Sequence, residues 1–247
     1  RLLRDTSEMP TRGGTITPGP SGFDAEAAVD DVSARLRAIA DPVRGSEMSR
    51  YMRGLFPYLG VASPQRREAT RHVVRAARTA DPSKVIEFAE RCWTVPEREL
   101  QYVATDVLRD ARSALGPDDL DALRDLITTK SWWDTVDAIA PWPVGSLVER
   151  HPDLVGAMDE WIADDDIWVA RSALLHQLHS KDRTDEERLY RYCLHVGGSD
   201  EFFLRKAAGW ALRQYARVDP DGVRSFVTAH ELELSPLTRR EALKHLG

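Results

Sequence analysis

The stretch FDAEAAVDDVSARLRAIADP, residues 23–42, decides the fold. Its apolar positions Phe23, Ala27, Val29, Val32, Leu36 and Ile39 recur mostly at threes and fours, the spacing that gathers side chains on one face of a helix with 3.6 residues per turn. Asp41-Pro42 ends the pattern, because proline has no amide to donate and pushes the residue before it out of the helical region.

Downstream the same pattern continues almost without a break. Ser63-Pro64, Asp81-Pro82, Asp219-Pro220 and Ser235-Pro236 each place a capping side chain before a proline at the first helical position, and Gly116-Pro117 joins two further helices. The spacing predicts helices at roughly 43–56, 63–80, 82–92, 95–114, 117–128, 131–140, 144–150, 152–163, 166–179, 184–195, 199–216, 219–229 and 235–246. No stretch alternates cleanly enough to require a strand. Helix pairs recur at about 35 to 40 residues, so the expected class is all-α, an α-solenoid of stacked antiparallel pairs, with a compact all-α bundle as the alternative. In a solenoid one layer of helices lines a concave face, which suits a long partner such as a duplex or another protein better than a small molecule.

Upstream, residues 1–23, with TRGGTITPGPSG, are rich in Gly, Pro, Thr and Ser and lack an apolar period. They are expected to form a flexible arm, leaving 24–247 as a single helical domain. The chain of 247 residues is 42% hydrophobic and 30% charged, and it contains no run approaching the length of about 18 apolar residues needed to span a bilayer. No secretory signal pattern opens it, so a cytoplasmic location is expected. Cys92 and Cys193 stand alone, without the spacing of a zinc site, and no GxGxxG or Walker-type loop is present. Neither a metal nor a cofactor is expected.

A net charge of −6 argues weakly against a nucleic-acid partner when taken as an average. Locally the balance reverses. Between residues 44 and 78, Arg44, Arg50, Arg53, Arg66, Arg67, Arg71, Arg75 and Arg78 are opposed only by Glu47 and Glu68. Such a run is either a solvated helix face or a surface for phosphates.

Three clusters carry candidate chemistry. In TKSWWDTVD, residues 129–137, Trp133 and Asp137 lie four apart and share a helix face, while Trp132 and Val136 share the neighbouring one. The plain alternative is a core tryptophan and an Asp134 that helps the helix start. In IWVARSALLHQL, residues 167–178, Arg171 sits in an otherwise apolar helix and needs an anion, either Asp137 within the protein or a bound phosphate. His176 there reads as a satisfied buried histidine. In EFFLRKAAGWALRQY, residues 201–215, Lys206 and Trp210 are i and i+4 among further aromatic and basic residues.

The strings YMRGLFPYLGVASPQRR at 51–67, TTKSWWDTVD at 128–137, WVARSALLHQL at 168–178 and EFFLRKAAGWALRQYARVDPDGVRSFV at 201–227 resemble the AlkD-type DNA alkylation-repair glycosylases in unbroken order from about residue 43 onward. The resemblance implies HEAT-like helical repeats with a concave basic and aromatic face, and excision of N3- or N7-alkylated purines from double-stranded DNA without flipping the base. It places the catalytic aspartate at Asp137, the catalytic-cleft arginine at Arg171 and the cleft tryptophans at Trp133 and Trp210. Tyr51, Phe202 and Phe203 match aromatics near the DNA. Arg66, Arg67, Lys130, Arg205, Lys206 and Arg213 complete the expected DNA-binding set. A monomer suffices for this chemistry, with the protein on the nucleoid when bound.

The chemistry fits those residue types. A cationic alkylpurine leaves as a neutral base, so no general acid is required, and a carboxylate aimed at the sugar stabilises the positive charge that develops there. Arg171 is expected to hold a phosphate beside the lesion. Two other readings use the same face: a self-resistance glycosylase for bulky genotoxin–purine adducts, and a non-catalytic helical-repeat scaffold for DNA or protein.

Overall fold

Aspartate and proline start the helices where the sequence sets them. In the computed structural model, which describes residues 22–246, Asp41, Asp81, Asp219 and Ser235 accept hydrogen bonds from backbone amides two or three residues on, at 3.1, 2.9, 2.8 and 3.0 Å. Each satisfies a donor that the first helical turn leaves free. Ser63 departs from the expectation: it already lies in the first turn, and Ala62 occupies the cap without a side-chain acceptor. Apart from Gly22 and Phe23, the expected N-terminal arm lies outside the described residues. Phe23 packs edge-on against Phe88 with ring centroids 5.7 Å apart.

Along the chain the helices are α1 (Ala25–Ala38), α2 (Pro42–Tyr51), α3 (Ser63–Ala77), α4 (Pro82–Thr94), α5 (Arg98–Ala111), α6 (Leu120–Thr128) and α7 (Trp133–Ile139). They continue with α8 (Gly145–Arg150), α9 (Val155–Trp161), α10 (Ile167–Leu175), α11 (Glu186–His195), α12 (Phe202–Tyr215), α13 (Pro220–Ala229) and α14 (Pro236–Ala242). No strand occurs among the described residues. Helices α3, α5, α7, α10, α12 and α14 pack each against the next in one row, and α1, α4, α6, α9, α11 and α13 back that row from behind. This two-layer stacking of neighbouring pairs is an α-solenoid.

Several helices are shorter than the sequence predicts, among them α5, α10 and α14, and two differences have a local backbone cause. The helix expected to run to residue 56 ends at Tyr51, because Arg53 and Gly54 turn left-handed, with φ of 59° and 73°. The helices expected at 131–140 and 144–150 are joined by a wider, π-type turn at Ala140–Val144 that contains Pro141 and Pro143. Proline removes donors from the regular ladder, and the widened turn absorbs the loss.

Gly145 follows that turn, where the chain passes close to α10. A Cβ built there would lie 2.1 Å from the His176 carbonyl oxygen. Gly145→Ala is therefore expected to cost about 1–3 kcal/mol through overpacking, read as a lower chemical-denaturation midpoint. An unchanged midpoint would show that the contact does not set the spacing of these helices.

Helix α10 is buried on nearly every side, and Arg171 is its one charged residue. The helix accordingly shows no clear polar face. Beyond its end, His176 is buried with Nδ1 2.6 Å from the Ala173 carbonyl. Burial pushes its pKa down to about 4, so it is a neutral core residue.

Candidate active site

The inner row opens into a cleft of about 560 Å³ at the meeting of α2, α7, α10, α12 and α14. It brings together Trp133, Asp137, Arg171 and Trp210, and with them Tyr51, Phe202, Phe203, Lys206 and Arg213. Tyr51 and Phe202 are exposed at its rim, whereas Trp133 and Trp210 are half-buried against the core.

Asp137 and Arg171 are joined directly in the wall of this cleft. Arg171 donates from Nε to Asp137 Oδ1 at 2.7 Å and from Nη2 to Oδ2 at 2.8 Å, while Nη1 donates to the Phe203 carbonyl at 2.5 Å. The arginine side chain is 4% exposed and the aspartate 18%. Of the two anions that the sequence left open for Arg171, the structure supplies the internal one, Asp137. Three of the five guanidinium N–H groups have internal acceptors, so Arg171 fixes the carboxylate in place, and Asp137, partly exposed, lines the cleft. Burial raises the Asp137 carboxyl above the ordinary aspartate range, Arg171 opposes that rise, and the nearby Asp134 adds to it.

A second network lies behind the first. Asp134 does accept from the Thr135 amide at 3.0 Å, yet its principal partners are Arg98 and Tyr102. Arg98 donates from Nε and Nη2 at 3.0 and 2.6 Å, and the Tyr102 hydroxyl donates at 2.6 Å. Arg98 is fully buried beneath the Phe56 ring and also donates to the Lys130 carbonyl at 2.9 Å. Glu99, the next residue, accepts from the amides of Leu59, Gly60 and Val61 at 3.0, 2.8 and 3.2 Å, tying down the segment that follows α2. Trp132 faces sideways into the wall, with ring centroids 5.5 Å from Trp168 and 5.0 Å from Phe203. Of the adjacent tryptophans, both border the cleft, but Trp133 shares the Asp137 face and Trp132 buttresses it.

The expected DNA-binding residues divide. Lys206 and Arg213 reach the cleft, and both donate to Glu241, at 2.7 and 2.5 Å. Their hydrogen bonds bring the Glu241 carboxyl down to about 2. Arg67 is exposed on the neighbouring groove. The other three are tied to partners within the protein, although Arg66 also borders the neighbouring groove. Arg66 is only 6% exposed, pairs with Asp106 at 3.3 Å and stacks over Tyr102 at 5.0 Å, so its charge is spent inside the protein. Lys130 donates from Nζ to the Val95 carbonyl at 2.7 Å, and Arg205 donates to the Asp200 carbonyl at 2.6 Å. Neither lines the cleft. Sequence reasoning missed Glu241, Arg53 and Lys244 as cleft residues. Arg53 carried a signal in the basic run, and the other two had none.

The cleft is one part of a longer groove. It shares Tyr51 and Trp133 with an adjoining hollow of about 550 Å³ between α2, α3 and α5, and that hollow shares Arg67 and Arg109 with a third one lined by Arg71, Arg75 and Arg78. The basic run thus contributes Arg67, Arg71 and Arg75 on α3 at helical spacing, with Arg78 just past its end paired to Asp110. Among the described residues, no group of three or more His, Cys, Asp or Glu gathers in a way that holds a metal, and no helix is long and apolar enough to cross a membrane.

Residues 32–246 match the family of DNA alkylation repair enzymes. A solved structure described as a predicted DNA alkylation repair enzyme from Enterococcus faecalis is similar to this chain with 31% identity and a TM-score of 0.77, covering 84% of this chain and 97% of that one. No curated protein matches. The chain belongs to the DNA alkylation repair enzyme family.

Proposed function

We propose that this member of the DNA alkylation repair enzyme family is a monofunctional DNA glycosylase that releases cationic N3- and N7-alkylated purines from duplex DNA. One observation carries the reading. A carboxylate gripped by a buried arginine lines an open cleft together with Trp133 and Trp210.

Alkylation at N3 or N7 gives the purine a formal positive charge. When the C1′–N9 bond breaks, its electron pair passes to the base, which departs neutral. The charge then resides on the deoxyribose. Asp137, fixed by Arg171 and partly screened from water, stabilises that cation more than it stabilises the starting nucleotide. Trp133 and Trp210 supply ring faces that attract the same charge. Water adds its oxygen to C1′ and loses a proton to solvent or through Asp137, completing hydrolysis. A carboxylate that works from the sugar side does not need the base to be extruded, and the open groove supports catalysis with the lesion left in the helix. The same openness suits purines with bulky substituents.

The direct test is mass-spectrometric identification of bases freed from alkylated duplex. Release of 7-methylguanine or 3-methyladenine is expected. Duplex binding without any freed base would leave a scaffold in place of an enzyme.

The pH dependence follows from the Asp137 environment. The ionised form stabilises the sugar cation, and burial raises the pKa above the ordinary aspartate value. Release is expected to be fully present at neutral pH and to fall, as the medium is acidified, through a value higher than that of a free aspartate. The enzyme-dependent rate, corrected for spontaneous depurination, measures this limb. A rate that stays flat down to the ordinary aspartate range would remove Asp137 from the role.

A further inference from the structure

Arg53 occupies a position that favours glycine. Helix α2 ends in a two-bond cap, in which the Arg53 amide donates to the Arg50 carbonyl at 3.0 Å and the Gly54 amide to the Ser49 carbonyl at 2.8 Å. The first residue past such a cap is left-handed and is usually glycine, because a Cβ there crowds the neighbouring carbonyl. Here that residue is Arg53, with φ of 59°, and the glycine comes one position later. A non-glycine residue in this region stores strain, which persists where the rest of the structure over-determines it and often where the side chain has a function.

The side chain is placed for one. The Arg53 guanidinium lies 5.7 Å from the Trp132 ring centroid on the wall of the cleft that holds Asp137. Other cations of that cleft are committed: Arg171 to Asp137 and the Phe203 carbonyl, Lys206 and Arg213 to Glu241. Arg53 has no carboxylate partner among the described residues. Lys244, on the α14 side, shares that freedom but not the constrained backbone. A guanidinium resting on an indole keeps its edge donors available in a planar fork, the geometry that grips a phosphate through two hydrogen bonds.

We propose that Arg53 grips a backbone phosphate of the duplex in this cleft, a part for which Arg171, held by Asp137 and the Phe203 carbonyl, is less free. The proposal rests on the cleft being a DNA site. Arg53 acts on binding, as a positioning residue, and not on the reacting atoms.

The test is Arg53→Gly, measured by thermal midpoint and by binding of an undamaged duplex over a range of salt concentrations. Glycine suits the left-handed turn, so the midpoint should hold or rise. Affinity should fall about tenfold, as for loss of one charge-assisted contact, and the slope of log K against log salt should shrink by about 0.9, the share of one phosphate on B-form DNA. Arg53→Lys should retain the slope and lose part of the affinity. Parent-like affinity and slope in Arg53→Gly would overturn the proposal, and so would a lowered midpoint, which would mean that the arginine serves stability. Should the parent bind duplex yet free no base, a reduced slope in the variant would uphold Arg53 while the glycosylase reading fell. A parent that does not bind duplex would overturn both.

Discussion

Asp137→Asn is expected to lower base release by about 10²–10³-fold, the usual effect of removing one preorganised electrostatic contact to a transition state, while leaving duplex binding close to that of the parent. Asparagine keeps the shape of the side chain and removes its charge. The change also touches Arg171, because an amide cannot accept from both Nε and Nη2 as the carboxylate does at 2.7 and 2.8 Å. Leaving a buried arginine without its counter-charge costs about 3–5 kcal/mol in a dry interior, and less here because Asp137 is 18% exposed to the cleft. A loss of release could then arise from a loosened fold. The double variant Asp137→Asn, Arg171→Met separates the two causes. It removes both charges, so stability should recover toward the parent while release stays low. Recovery of release in the double variant would show that Asp137 is needed only to neutralise Arg171, and the proposed chemistry would fail.

The contrast between Arg171 and Arg67 shows what a sequence can and cannot disclose. Helix starts were legible because they are local: Asp81 caps the amide of Ser83 two residues away, and no distant packing is needed to know it. The aromatic and acidic face was legible for the same reason, since Trp133 and Asp137 are one helical turn apart. The partner of an arginine is a different matter. Arg171 finds Asp137 across 34 residues and Arg66 finds Asp106 across 40, through the stacking of α7 on α10 and of α3 on α5. In the basic run, Arg66 and Arg67 are adjacent and chemically identical. A rotation of about 100° between neighbours on a helix buries one against a carboxylate and leaves the other exposed along the groove. Glu241 gave no local signal at all, and its place between Lys206 and Arg213 depends on how α14 lies along α12.

The network behind the cleft sets the largest expected effect on stability. Arg98→Met should destabilise the protein by about 3–5 kcal/mol, because it strands a buried Asp134, 6% exposed, with the Tyr102 hydroxyl and Thr135 as its remaining donors. For a chain of this size that corresponds to a fall of roughly 6–20 °C in thermal midpoint. The loss should not stop at stability. Arg98 Nη1 holds the Lys130 carbonyl, and Asp134 lies in the first turn of α7, between Trp133 and the rest of the helix. Freeing both ends lets that turn fray, so release should fall even well below the midpoint. Replacing Asp134 as well, by Leu, removes the stranded charge and should return part of the stability, since apolar residues often substitute for a buried pair with little net cost. It should not return the rate, because neither variant can hold the start of α7. Full recovery of release in the double variant would mean that Trp133 keeps its place without this network. A single-variant cost below about 1 kcal/mol, the range of an exposed pair, would mean that water reaches Arg98 in the folded protein.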